Sequence, residues 1–374
     1  MKRFFSVLLT AALLLGLCAV PAAAAPASVS AVLNDTAQYL VKTVPSPAFA
    51  SAGGGWTVIA LARSGYAVPD GYFDGYYQAI AAKLQANKGV LSERVYTEYE
   101  RAILALTATG RDPANVAGYN LLAALGDFDT TVSTGLATAA FALIALDARG
   151  YAIPESAGAK TQATRQLYLA YLLNAQLADG GWALSGEKAD PDVTAMVLQA
   201  LAGYRSNAAV ESAVTVGVAC LSKLQNSDGG YSSWGSVNSE STSQVILALT
   251  SLGISVTDSR FVKNGSSPLD NLLSYYIPGG GFRHMDSADL LATEQALCAL
   301  AAVQRAASGK NSIYDMRDVT LTAGSSESQT AAGVNPSAVV HPGLTFTDVQ
   351  GHANQTAIEK LASYGIINGM GGGL

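Results

Sequence analysis

Glu240 and Gln244 stand four residues apart, as do Thr97 and Arg101, Asp192 and Met196, Leu291 and Gln295, and Ala52 and Trp56. Four-residue spacing stacks side chains on one face of a helix. A carboxylate, an amide, a guanidinium and an indole on one surface suit a ligand with a flat apolar face and several hydrogen-bonding groups. Asp192 and Glu240 read equally well as first-turn carboxylates favoured by the helix dipole. A second reactive-looking stretch is Tyr96-Thr97-Glu98-Tyr99-Glu100-Arg101. There a Tyr as acid or base and an Arg neutralising a uronate would serve β-elimination on a polysaccharide; the plainer reading is a capped, salt-bridged helix start. The ligand-binding candidates are therefore Trp56, Glu98, Arg101, Asp192, Trp234, Glu240, Gln244 and Gln295, with no catalytic residue assigned. His284, beside Arg283 in a glycine loop, reads as an exposed loop residue.

These residues need elements to position them, and the chain supplies them by repetition. Gln176 to Leu201 reads QLADGGWALSGEKADPDVTAMVLQAL. It combines a helix end, a glycine turn carrying an aromatic, a polar loop and a second helix start. Asp190 is the expected N-cap, with Pro191 at the first helical position. The unit returns at Gln225 to Leu249 and, degraded, at Tyr275 to Leu300, its turn aromatics Trp182, Tyr231 and Phe282 lying 49 and 51 residues apart. These aromatics are expected to lock the turns; Trp56 and Trp234 are the better rings for a ligand. Ala-Leu pairs at 60, 105, 145, 200, 248 and 299 mark six helices of one set. A second set falls at 29–44, 72–87, 113–125, 160–177, 207–225 and 268–277. Two alternating sets of six predict an all-α, α6/α6 toroid over residues 26–318. The marker alanines let six helices converge, and the residues four and eight positions earlier would line a funnel with a polar mouth.

Outside the repeats, Lys2 and Arg3 precede an apolar run and Ala22-Ala23-Ala24-Ala25, the pattern of a secretory signal peptide over residues 1–25. Removing it takes two of the 22 basic and none of the 28 acidic residues, leaving a formal charge of −8. An acidic chain without basic runs argues against nucleic acid as a partner, and no later run is long enough to span a membrane. Cys220 and Cys298 read as buried free thiols, although export would permit a disulfide. Residues 319–343, rich in Ser, Thr, Ala and Gly, read as a linker. With so few apolar residues in it, truncation after Tyr314 is expected to leave the toroid's stability nearly unchanged.

The Q-x-x-x-G-G-aromatic turns with their flanking helices resemble the repeats of the terpenoid cyclase and protein prenyltransferase superfamily. That resemblance implies the same toroid. It does not carry the chemistry across. A prenyltransferase's zinc needs Asp, Cys and His ligands, whereas both thiols sit in apolar helix patterns. A protonation-initiated cyclase needs Asp-x-Asp-Asp, and Asp127-Phe128-Asp129-Thr130 lacks the last Asp. A thioester domain needs Cys where Ala292 stands. No metal and no cofactor are expected. Residues 344–374 resemble the first half of an S-layer homology module through Phe346, Asp348, Gly351, His352, Leu361, Gly365 and Gly369. Such modules hold proteins to cell-wall polysaccharide, though half a module should hold a wall only weakly. The expectation is an exported, monomeric bacterial cell-surface protein whose toroid binds an extracellular small molecule or glycan without catalysis. The alternatives are a polysaccharide-lyase-like enzyme on the same toroid and a purely structural scaffold.

Overall fold

The computed structural model describes residues 28–49, 51–322 and 355; the segment 1–25 read as a signal peptide, most of 319–343, and all of 344–374 except residue 355 lie outside the described residues. The chain divides into two compact units, residues 1–323 and 324–374, and the helices below belong to the first.

Among the described residues twelve α-helices alternate between two layers. The outer set is α1 (Val29–Thr43), α3 (Asp74–Ala86), α5 (Phe128–Val132), α7 (Arg165–Asn174), α9 (Ala208–Leu224) and α11 (Pro268–Ser274). The inner set is α2 (Trp56–Ser64), α4 (Thr97–Ala108), α6 (Leu136–Asp147), α8 (Pro191–Leu201), α10 (Ser239–Ser251) and α12 (Leu290–Ala307). Each inner helix packs on the next, and α12 packs back on α2, so the ring closes. This is the expected α6/α6 toroid. The inner helices are buried nearly all round, as a helix between two layers must be. Their marker alanines, Ala60, Ala105, Ala145, Ala200, Ala248 and Ala299, are all buried and small enough for six backbones to converge.

The turns follow from side-chain chemistry. Asp190 caps α8 by accepting from the backbone N–H of Asp192 and Val193, with Pro191 opening the helix. Gly180 sits at φ +95°, where a side chain is disfavoured, and a Cβ on Gly181 would lie 2.5 Å from the Ala189 side chain. That close approach lets the Trp182 N–H reach Thr194 Oγ1 at 2.9 Å, while its indole N–H donates to Leu172 O at 2.7 Å. Phe282 and Thr293 repeat the lock at 2.9 Å. Trp182, Tyr231 and Phe282 are fully buried, so these rings serve the turns. Both thiols are free and buried.

Two segments depart from expectation. The third outer element is not one helix over 113–125. Val116 and Tyr119 bridge across Ala117 and Gly118, both at positive φ, and this tight turn confines the helix to a 3-10 stretch, Leu121–Gly126, followed by α5. The second departure is the segment after α12, which docks instead of leaving the toroid. Ile313 and Met316 are fully buried. Arg63 donates to the carbonyls of Ile313, Ser312 and Asp315 and to the Asp318 carboxylate. Arg305 pairs with the same Asp318, Arg149 donates to Val319 O, and Thr322 N–H donates to Gly110 O at 2.7 Å. The premise that the chain after Tyr314 has too little to dock with therefore fails: Met316 is buried, and backbone carbonyls held by the buried Arg63 and by Arg149 do the docking that a count of apolar residues misses.

Candidate functional site at the inner-helix N-termini

The residues aligned by spacing share one end of the ring. Asp192 and Glu240 are the second residues of the adjacent helices α8 and α10, and Arg101 is the fifth residue of α4. Arg101, Trp56, Met196 and Gln295 are half-buried among fully buried neighbours, so the stripe borders accessible space. Gln244 links the stripe: its Nε2 donates to Gln295 Oε1 at 3.2 Å, and its Oε1 accepts from Gln199 Nε2 at 3.3 Å. Deeper on the axis the funnel is filled. Trp56 meets Phe141 edge-on at 5.7 Å, and Phe141 meets Tyr314 of the docked segment at 6.2 Å.

The acidic side of the mouth is built by three loops. Ser239 at the start of α10 donates to Arg283 O at 2.6 Å, and its N–H bonds His284 O. This ties α10 to the strand Gly281–Arg283 and brings His284 Nδ1 to 2.7 Å from Glu240 Oε1. His284 is the exposed loop residue expected, at 45%, and it has a partner that the sequence did not indicate, Glu240, which is only 14% exposed. Asp192 lies beside them. Burial pushes its carboxyl up to about 6, the hydroxyls of Ser241 and Ser233 oppose the shift, and the neighbouring Asp190 and Glu240 charges add to it. One Asp192 oxygen is buried without a hydrogen-bond partner. Ser233 donates to Asp190 at 2.5 Å, anchoring the hairpin of Ser232–Ser233 and Ser236–Val237. At its tip Trp234 is 77% exposed at φ +52°, followed by Gly235 at +79°. Two consecutive positive φ values suit a two-residue hairpin turn, but an aromatic there is uncommon.

The remaining candidates divide. The Arg101 stem packs where a Cβ on Gly55 would sit, 2.6 Å from its Cγ, and Arg101 has no ion pair among the described residues. Glu98 lies in the first turn of α4, half-buried near Tyr76. Two further residues of that run are built into the core. The Tyr99 hydroxyl accepts from the Leu91 N–H at 2.8 Å, and Glu100 is fully buried with no partner for either oxygen, burial raising its carboxyl well above the usual range. Tyr99 and Glu100 are thus committed to the fold, whereas Tyr96 of the same run is half-buried. Glu294 was not among the candidates. It is buried on α12, accepts from the Gly53 N–H at 2.9 Å and from the Thr57 hydroxyl, and burial pushes it up to about 7. In the polar start of α10 the hydroxyls of Ser239, Thr242 and Ser243 are buried and donate to Arg283 O, Asn271 Oδ1 and Ser239 O, so only Glu240 of these is turned toward the mouth by its pairing with His284. Among the described residues no group of three or more His, Cys, Asp and Glu side chains is placed to hold a metal ion, and no helix is long and apolar enough to cross a membrane.

Residues 345–374 match the S-layer homology domain. No curated protein matches the chain. Among solved structures, the ent-copalyl diphosphate synthase from Streptomyces platensis is similar at 19% sequence identity and a TM-score of 0.42, over 68% of this chain and 50% of that one. The chain thus spans about half the length of the synthase.

Proposed function

We propose that this is an exported cell-surface protein whose toroid binds an extracellular saccharide at the N-terminal mouth of its inner ring. The S-layer-homology match at 345–374 supports association with the cell surface, cell-wall polysaccharide being the partner such domains bind. The observation that carries the binding reading is the grouping of Asp192 with the Glu240–His284 pair, beside a hairpin that exposes Trp234. Carboxylates accept hydrogen bonds from sugar hydroxyls, and an indole face packs on the C–H face of a pyranose. The stripe of Gln244, Gln295 and Arg101 adds donors and acceptors below. The test is calorimetric titration of neutral and amino-sugar oligosaccharides, including soluble wall fragments, into the exported chain. Glu240→Ala and Trp234→Ala should each weaken binding about tenfold or more, as loss of a hydrogen bond to a charged group or of a stacked ring implies. Melting temperatures should barely move. Unchanged affinity in both variants would sink this reading.

One observation favours a second reading. Asp192, raised to about 6, neighbours a carboxylate that it feels electrostatically. Two carboxyls with unlike environments are the parts of glycoside hydrolysis, one as acid and the other as base or nucleophile. Release of reducing ends by the native chain, abolished in Asp192→Asn, would decide for catalysis over binding alone.

A further inference from the structure

At the other end of the ring, a cleft of about 560 Å³ opens over the C-termini of α6, α8 and α10. Ile144 and Asp147 line it from α6, Gln199 from α8, Ser251 from α10, and Tyr314 and Arg317 from the docked segment. Gln199 lies seven residues beyond Asp192 on the same helix, roughly 10 Å along its axis at 1.5 Å per residue. The cleft therefore opens toward the opposite end of the ring from the N-terminal mouth, and touches that mouth's stripe through the Gln199–Gln244 hydrogen bond.

Two features say what it would hold. The first is charge. Asp147 accepts from Arg165 at 2.7 Å and from the Tyr204 hydroxyl at 2.6 Å, and Asp315 accepts from Arg317 at 2.8 Å. All four charged residues of the lining are thus paired with one another, and no spare charge greets an ionic ligand. The second is an orphan acceptor. Gln199 is only 7% exposed, and its Nε2 donates to Ala195 O at 3.1 Å as well as to Gln244. Turning the amide over would set oxygen against the Ala195 carbonyl, so its orientation is fixed. Its Oε1 is then buried without a partner. A buried acceptor left unmet costs stability, and the residue that carries it lines the cleft, together with Ser251 and Ser312 and with Ile144, Ala200 and Tyr314 as apolar surface.

We infer that this cleft is a second binding site, taking a neutral, hydroxyl-rich molecule of one or two sugar rings that hydrogen-bonds at the Gln199 amide. Its volume falls in the range of small-molecule sites, roughly 300–1,000 Å³. The segment that leads toward the S-layer-homology unit forms one wall, so occupancy should steady that segment.

The experiment uses the full exported chain with cellobiose and the β-1,4-linked N-acetylglucosamine disaccharide, with glucosamine and glucuronate as charged controls. Hydrogen exchange locates binding and calorimetry measures it. A neutral disaccharide should protect amides at 199–204 and 312–317, and neither charged sugar should do better. A Cβ added at Gly203 meets nothing within 4 Å, so Gly203→Leu fills the cleft without a backbone clash. It should weaken that binding about tenfold or more, as should Gln199→Leu, while circular dichroism shows the fold kept. Gly203→Leu carries the test if Gln199→Leu fails to fold. The inference is overturned if neutral sugars bind without protecting 199–204, if none binds, if a charged sugar binds better, or if folded Gly203→Leu binds unchanged. Protection confined to 190–193 and 233–241 would report the N-terminal mouth alone, and would leave the saccharide reading of that mouth standing while this one fell.

Discussion

Two carboxyls at the ring's inner surface are held where water is scarce, and both should betray themselves by pH. Burial raises Glu294 from 4.5 to about 7, against the opposing hydrogen bonds from Thr57 and Gly53. The folded state then takes up this proton before the unfolded state does as pH falls. Its contribution to stability is fully present below about 4.5 and is lost as pH rises through about 7. Converted at 1.36 kcal/mol per pH unit, the difference is about 3 kcal/mol at most. Glu294→Gln keeps an acceptor for Gly53 and Thr57 without the charge, so at pH 8 it should melt above the native chain and at pH 4 should match it. Thermal melts across pH check this; a variant less stable at pH 8 would contradict it. Asp192, pushed up to about 6, bears on binding. As an acceptor for ligand hydroxyls it works best ionised, so saccharide affinity at the mouth should rise between pH 5 and 7.5. In Asp192→Asn that rise should disappear, measured by titration at both pH values. At this scale the sequence was legible where spacing is local. Glu240 and Gln244 fall on one stripe by i, i+4 arithmetic alone, and Asp192 takes the place of Glu240 in the preceding repeat. His284 was not legible, because its partner Glu240 lies 44 residues away and the contact depends on how Ser239 grips the Arg283 carbonyl.

Among the elements, regular helices were legible and irregular packing was not. Asp190-Pro191 announces the start of α8 by cap chemistry that needs no tertiary contact. The stretch 113–125 reads as apolar enough for a helix, yet the turn through Ala117 and Gly118 breaks it, and the 3-10 stretch and α5 fill the gap. The segment after α12 was misjudged for another reason: its affinity for the toroid rests on three arginines reaching backbone carbonyls, which no count of apolar residues reveals. Met316 is nevertheless fully buried, and its N–H donates to Ala148 O at 2.7 Å. Met316→Ala should therefore cost about 2–5 kcal/mol, the range for emptying a methionine-sized core site. Arg63→Ala should cost about 2–4 kcal/mol, because it strands buried carbonyls and removes one partner of Asp318. Urea unfolding curves read both. Changes below about 0.5 kcal/mol would show that the docked segment adds nothing to the toroid's stability.

For the molecule as a whole, the question is whether six repeats behave as an array or as a ring. An open array of helix pairs is stabilised by neighbours only, so its ends fray first. Here the ends are joined to each other. α1 packs on α12, the Asp35 carboxylate accepts from the Tyr276 hydroxyl at 2.6 Å and the Gly279 N–H at 2.7 Å, and Glu294 of α12 holds the Gly53 N–H before α2. Arg63 of α2 and Arg305 of α12 share Asp318 across the same seam. The sequence count of two sets of six implied closure, since six helices around an axis leave no end free, but it did not show which groups make the seam. Leu33 and Leu40 of α1 are buried beneath it. Leu40→Ala should cost about 2–5 kcal/mol, and the distribution of that loss is the test. A molecule of this size need not unfold in one step, so native-state hydrogen exchange is a better readout than a melting temperature. In a closed ring the loss reaches helices far from the mutation, and amides of α6, opposite the seam, should lose protection along with those of α12. If only α1, α2 and α12 exchange faster while α6 keeps its full protection, the repeats are energetically an open array that merely happens to touch at its ends.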